Sequence, residues 1–279
     1  MTFHTGITIQ AIGDLTPSNV VDLGMAIGLR HIEFDPSVFP DISNVMERLK
    51  TKQTSIHAPY MEDYHMDLSS NTPEIDKLID DINRWKTRMN IIGVVVHPPL
   101  DAGGNTEKFY DRLEKLPLPL IENMPYQSWE DFLDFYNTTQ ANVNNHLGMC
   151  FDIPHSFITN GDKFLEIPDE VLEHLTSSKG YIHISGGTAY EDIHYPLLTD
   201  GDIPFQEVKD FLRRISFCGT VTMELNPRSF QDIDKIIRSY ILMLDVAKKK
   251  KHKLSVQIKR PFIMRKVNKL ATSKKISRE

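Results

Sequence analysis

The sequence predicts a single α/β domain, a closed parallel (β/α)8 barrel, followed by a basic C-terminal tail. Three observations predict it. Short apolar runs alternate with segments of 3.6-residue period along almost the whole chain, the sequence form of repeated strand–helix units. At 279 residues and 40 % hydrophobic, the chain suits one large barrel better than two unrelated domains. Finally, apolar runs stop on an imidazole or a carboxylate: TSIH at His57, VVVH at His97, LPLIE at Glu122, MCFD at Asp152, YIHI around His183 and VTME at Glu224. In a parallel barrel the C-terminal strand ends converge on one face, so these side chains are expected to meet there.

The elements follow in order. A first strand is predicted over Gly6–Ala11, and Thr16-Pro17 then supplies a cap and a first-turn proline for the first helix. The run HIEF, His31–Phe34, is the second strand and Gln53–His57 the third. Thr72 and Pro73 open the strongest helix, where Ile75, Leu78, Ile79, Ile82, Trp85 and Met89 form one apolar stripe. Strands are predicted over Ile92–His97, Leu118–Glu122 and Leu147–Asp152, then a short helix within Pro168–Leu175 and a strand over Gly180–Ile184. Phe205, Val208, Phe211, Leu212 and Ile215 share one helical face. Gly219–Glu224 is the last strand, and Ile233, Ile236, Ile237, Tyr240, Ile241 and Leu244 mark the last helix of the barrel. The stretches after His57 and after His183 are long, and in a barrel they rise over the mouth and are expected to carry substrate contacts.

Charge divides the chain at residue 247. Residues 1–247 hold 19 Lys and Arg against 37 Asp and Glu, formally −18; residues 248–279 hold 13 against 1, formally +12. The barrel is therefore assigned to 1–247 and a basic, flexible, solvated tail to 248–279, able to hold nucleic acid or an anionic membrane surface through phosphate charge. The longest apolar run, Ile91 to Val96, is far short of the roughly 18 to 20 residues that span a bilayer, and MTFHTG lacks a basic-then-apolar leader pattern. A cytoplasmic location is the expectation. Cys150 and Cys218, both in apolar strand-like runs, are expected to be buried free thiols rather than a disulfide.

Imidazoles and carboxylates gathered in one mouth suit a divalent cation of hard to intermediate character. Local context adds candidates: His57 in HAPY, His97 in VVVHPP, Glu122 in LIENMP, Asp152 and His155 in DIPH, His183 in HIS, Asp192 and His194 in DIH, and Glu224 in MELNP. As a set, in this order, the residues resemble the xylose-isomerase-like TIM barrels, the superfamily that includes endonuclease IV and the sugar-phosphate isomerases and epimerases. The resemblance covers roughly Gly6 to Pro227 and leaves out the basic tail.

In endonuclease IV-like enzymes the nine matching positions hold three zinc ions. The resemblance thus implies one ion on His57, His97 and Glu122; a second on Glu122, Asp152, His183 and Glu224, with Glu122 bridging; and a third on His155, Asp192 and His194. It implies a zinc- or manganese-dependent phosphoester hydrolase acting on abasic DNA. Clustered cations suit a phosphodiester, because they activate water and stabilise the leaving oxygen. The sugar isomerases and epimerases imply an alternative with one ion on Glu122, Asp152, His183 and Glu224. The two glutamates then form the acid/base pair, and His155 contacts the sugar or sugar-phosphate oxygen. One to three ions are therefore expected.

Two positions depart from the family patterns. Ala189 stands six residues after His183, where the epimerases carry arginine, and Ile193 stands between Asp192 and His194, where endonuclease IV-like chains carry arginine. Tyr60 matches a base-stack-penetrating position of the nuclease family, and Glu33 at the end of HIEF is expected to meet substrate hydroxyls at the rim. No ligand position is lost, which argues against a purely non-catalytic binding module.

Overall fold

The computed structural model describes residues 2–10, 15–99, 105–197, 201–226 and 232–276. Its strands are β1 (His4–Ile9), β2 (His31–Phe34), β3 (Gln53–His57), β4 (Asn90–Val96), β5 (Pro119–Glu122), β6 (Gly148–Asp152), β7 (Tyr181–Ile184) and β8 (Thr220–Met223). They close into a barrel in sequence order, with β1 also paired to β8, and every pairing is parallel. The outer layer is α1 (Pro17–Ile27), α2 (Ile42–Leu49), α4 (Pro73–Lys86), α5 (Thr106–Lys115), α6 (Trp129–Asn142), α8 (Asp169–Thr176), α9 (Phe205–Arg214) and α10 (Asp232–Val246). Two short helices, α3 (Met61–Tyr64) and α7 (Ile153–Asn160), follow β3 and β6, and α11 (Lys250–Ile276) lies outside the barrel. None of the described helices is long and apolar enough to cross a membrane.

The predicted barrel is thus the observed one, with small shifts at element ends. The first strand runs earlier than Gly6–Ala11, and Ala11 lies outside the described residues. His97 and Glu224 stand one residue beyond β4 and β8. Thr16 caps α1 by accepting the Asn19 N–H, and Gly28, at φ 91°, ends that helix in the left-handed conformation glycine tolerates. Thr72 differs from expectation: it precedes α4 without a side-chain cap, because its hydroxyl is turned into the protein and buried without a partner.

Side-chain alternation along the strands separates two interiors. The large apolar core lies between the sheet and the helices, where Ile32, Val94, Ile121, Phe151, Ile182 and Val221 meet faces such as Ile75, Ile79 and Ile82 of α4. Inside the barrel, Val95, Leu120, Cys150 and Tyr181 form a second, smaller cluster. On other strands the inward positions are polar, among them His31, Glu33, Ser55 and Thr222, all buried. Gly6 makes room for one of them, since a Cβ there would come within 2.4 Å of the His31 ring and carbonyl.

Two expectations are corrected. Cys218 is exposed, ahead of β8 rather than in it; only Cys150 is buried, and both are free thiols. Of the segment after residue 247, expected as a flexible arm, residues 250–276 form α11, packed on α10 and α1. Val256, Ile263 and Val267 are buried beneath it, and seven-and-four spacing of apolar side chains is enough to dock a helix however many lysines surround them. Arg260 pairs with Asp234 and Lys253 with Asp245, so α11 runs antiparallel to α10.

Candidate metal centre

The strand ends deliver the predicted side chains to one face. His57 and Glu122 end their strands, His97 and Glu224 follow theirs directly, and His183 lies within β7. Asp152 ends β6 and also caps α7: its carboxylate accepts the His155 N–H at 2.6 Å, which fixes His155 in the first turn. Asp192 and His194 come from the long stretch after β7.

Around Glu122 the groups interlock. His97 Nε2 lies 2.7 Å from Glu122 Oε2, and His183 Nδ1 lies 2.7 Å from Glu122 Oε1 and 3.0 Å from Glu224 Oε2. His57 Nε2 is 3.4 Å from Glu122 and 4.0 Å from Glu224. Ligand atoms of His57, Glu122, His183 and Glu224 fall within 4.8 Å of one another, as do those of Glu122, Asp152 and His155. His155, Asp192 and His194 form a further such group, with Asp192 3.1 Å from His155 Nε2 and 3.3 Å from His194 Nε2. The outer group has the membership the resemblance implied. The inner grouping differs in detail: His57 gathers with His183 and Glu224, while His97 reaches Glu122 alone.

The electrostatics follow from burying Glu33, Glu122 and Asp152, with partly buried Glu224 and the more exposed Asp192 beside them, around shared histidines. Burial by itself would strip the proton from His57, but its bond to Glu122 and the charges of Glu224, Glu122 and Glu33 push it up to about 10. His194 is likewise pushed up to about 9 against burial, by Glu224 and Asp192. Against burial, His155 is raised well above the ordinary range by Asp152 and Asp192, and His183 by Cys150 and then Glu33, Glu122 and Glu224. Conversely, His183 and His97 hold Glu122 well below the usual carboxylate range although burial opposes them. Burial wins at Asp152, whose carboxyl is raised, and at His97, whose imidazole is lowered. Protons on histidines therefore neutralise this cluster, and cations bound there would displace them.

Glu33 is not at the rim. It is fully buried in the barrel interior one layer below the ligands, where Thr8 donates to it at 2.9 Å, Ser55 at 3.0 Å and Tyr181 at 2.7 Å, and His183 Nε2 lies 3.1 Å away. The inward alternation of β2 puts it there. Tyr60 does border the mouth, its ring 4.9 Å from that of His97 and 5.6 Å from that of His57, with its hydroxyl donating to Asp63 at 2.6 Å.

Positioning groups that the sequence did not single out surround the ligands. Asn123, next to Glu122, bonds both backbone groups of Asp152, and its carbonyl takes the His155 Nδ1 proton at 2.7 Å. Buried Arg112 on α5 donates to the carbonyls of Leu68 and Ser70 at 2.8 and 2.6 Å, pinning the stretch after β3 that carries Tyr60. Tyr126, at φ 64°, donates its hydroxyl to the Tyr190 carbonyl at 3.0 Å and so ties the loops after β5 and β7.

The residues fit divalent cations. His57 Nδ1 is held by the Ala58 carbonyl at 2.9 Å, His155 Nδ1 by that of Asn123 and His183 Nε2 by Glu33, leaving each other nitrogen aimed at carboxylates. Metal-binding histidines are oriented in this way. Asp152 Oδ2 is buried without a hydrogen-bond partner, 3.9 Å from His183 Nδ1. Such an oxygen is costly to bury unless a cation meets it. Groups of mixed imidazole nitrogen and carboxylate oxygen donors suit a divalent cation.

Residues 21–245 match the family described as xylose isomerase-like TIM barrel. Among solved structures, a D-tagatose 3-epimerase-like protein is 18% identical, covering 91% of this chain and 100% of its own, with a TM-score of 0.60. The 3-keto-D-glucoside 4-epimerase of E. coli is 15% identical over 85% of this chain and 97% of its own, TM-score 0.55. AP endonuclease, family 2, from Brucella melitensis is 14% identical over 82% of this chain and 95% of its own, TM-score 0.55. No curated protein matches the sequence. At such identities the structural likeness speaks to the fold alone.

Proposed function

The chain belongs to the xylose isomerase-like TIM-barrel family, and from that premise we propose that it is a divalent-metal-dependent phosphoester hydrolase with abasic DNA as its leading substrate. One observation carries this reading: His155, Asp192 and His194 gather as a ligand group of their own beside the group centred on Glu122. A one-ion isomerase needs only Glu122, Asp152, His183 and Glu224, with His155 on the substrate oxygen, and would leave Asp192 and His194 without work. Divalent zinc or manganese bound at these groups would supply Lewis acidity, polarising phosphoryl oxygens and lowering the pKa of water. The chain's own residues hold and orient. Glu122 reaches three histidines and, with Glu224 and Asp152, would hold the inner cations; Glu33, Ala58 and Asn123 fix the histidine rings; Tyr60 bounds the substrate cleft.

Elemental analysis of protein purified without chelator, combined with a nicking assay on an abasic duplex, tests the proposal. About two to three ions per chain with strand cleavage is the expected result; one ion without cleavage overturns it.

A second reading, a single-metal sugar or sugar-phosphate isomerase or epimerase, is favoured by the way Glu122 and Glu224 converge on His183 Nδ1 at 2.7 and 3.0 Å. That pairing suits carboxylates flanking a carbon that loses and regains a proton, and two of the compared structures are named as an epimerase or epimerase-like. Deuterium incorporation from solvent into a ketose or its phosphate would establish it in place of the hydrolase.

A further inference from the structure

α11 buries Val256, Ile263 and Val267 on one side and exposes Leu254, Ile258 and Phe262 on the other, 58%, 61% and 65% accessible and spaced four residues apart. Four-residue spacing makes them a continuous ridge. Lys251, Arg265 and Lys269 share that exposed face, and the Arg265 guanidinium lies 5.8 Å from the centre of the Phe262 ring. Between Lys250 and Ile276 there is no Asp or Glu. Lys253 and Arg260 spend their charge on Asp245 and Asp234 in docking the helix, whereas Lys251, Lys259, Arg265, Lys266 and Lys269 form no close ion pair with a carboxylate among the described residues. At the base of the helix, Arg30 and the run Lys248–His252 line a cavity of about 290 Å³ bordered by basic side chains alone. Lysines at the first turn oppose the helix dipole, an arrangement that costs stability unless an anion from outside compensates it.

We infer that the outward face of α11 is a docking surface for an anionic phospholipid membrane. Leu254, Ile258 and Phe262 enter the boundary between headgroups and acyl chains, while the flanking lysines and Arg265 meet lipid phosphates and the basic cavity receives a headgroup. Basic residues interleaved with large apolar ones, on a helix too polar to span, are the pattern of helices that lie in the interface plane. A nucleic-acid backbone rewards the charges only and would leave the ridge in water. An acidic protein surface would satisfy the same charges, but a bilayer also takes up three neighbouring apolar side chains without requiring a matching pocket.

The test is sedimentation of the full chain with vesicles of phosphatidylcholine alone and of phosphatidylcholine with phosphatidylserine. Partition onto the phosphatidylserine vesicles is expected to exceed that onto phosphatidylcholine by about tenfold or more and to weaken with salt. The triple variant Leu254→Ser, Ile258→Ser, Phe262→Ser is expected to lose about tenfold or more of that partition. Ile258→Ser alone, which leaves the docked face untouched, should show a smaller loss in the same direction. Thermal melting checks that each variant is folded. Absence of partition onto either vesicle overturns the inference, as does undiminished partition of the folded serine variants. So would retention of duplex DNA, or concentration-dependent self-association lost in the serine variants, in a chain that ignores both vesicles.

Discussion

Glu33 supports His183 from inside the barrel: its carboxylate lies 3.1 Å from Nε2 and thereby commits Nδ1 to Glu122 and Glu224. Because Thr8, Ser55 and Tyr181 hold Glu33 in turn, the ring of His183 has one orientation. Replacing Glu33 with Gln keeps the shape but removes the charge. Zinc affinity of the inner group is expected to fall about 10- to 100-fold, measured by competition with a chelating dye, while the circular dichroism stays that of the parent.

The outer ligand group separates the two candidate chemistries. His155→Ala together with Asp192→Asn should lower the metal content by about one ion per chain and cut cleavage of an abasic duplex by at least about 100-fold. Sugar isomerisation, if that were the activity, would survive loss of Asp192 with only modest change. Nicking at the parental rate in this double variant would remove the hydrolytic assignment.

Raised histidine pKa values make the metal-free chain sensitive to alkali. A histidine raised in the folded state contributes stability that is fully present below its unfolded value near 6.5 and is lost as the pH climbs through the folded one. For His57 and His194, pushed up to about 10 and about 9, the window runs from about 6.5 upward to those values. Melting temperatures of chelator-treated protein should therefore decline across that window. Added zinc at neutral pH should release protons, detected with an indicator in weak buffer, and should raise the melting temperature.

Arg112 is a buried cation whose work is done on a loop. Its guanidinium pairs with Asp76 in the first turn of α4 at 2.9 Å and bonds the Leu68 and Ser70 carbonyls on the stretch that leads there from β3. Arg112→Ala leaves those carbonyls unpaired and is expected to cost about 2 to 4 kcal/mol by urea unfolding. Since Tyr60 rides on the same stretch, KM should rise more than kcat falls.

Much of the barrel and of the candidate site was legible because side chains such as His57, Glu122 and Asp152 close apolar runs, so that the same residues mark the strand's end and the mouth. His155, Asp192 and His194 were legible only as a set, through their order and spacing. Glu33 was placed at the rim because HIEF reads as a strand end; its partners come from β1, β3 and β7, and only closure of the barrel brings them together. Arg112 looked like any charged residue of an amphipathic helix, TEKFYDRLEK, since the carbonyls it bonds lie about forty residues earlier. Val256, Ile263 and Val267 were hidden by the density of lysine around them, and a charge count cannot report which side of a helix is apolar.

The contact between His252 and Tyr240, rings 5.7 Å apart, together with burial of Val256, Ile263 and Val267, makes α11 a wall of the folded body rather than an appendage. A chain cut after Ala247 would leave the outer flanks of α1 and α10 wet and greasy. Such a product should clump and melt early even with every metal ligand still in place, so trimming for tractability would remove what keeps the barrel well behaved.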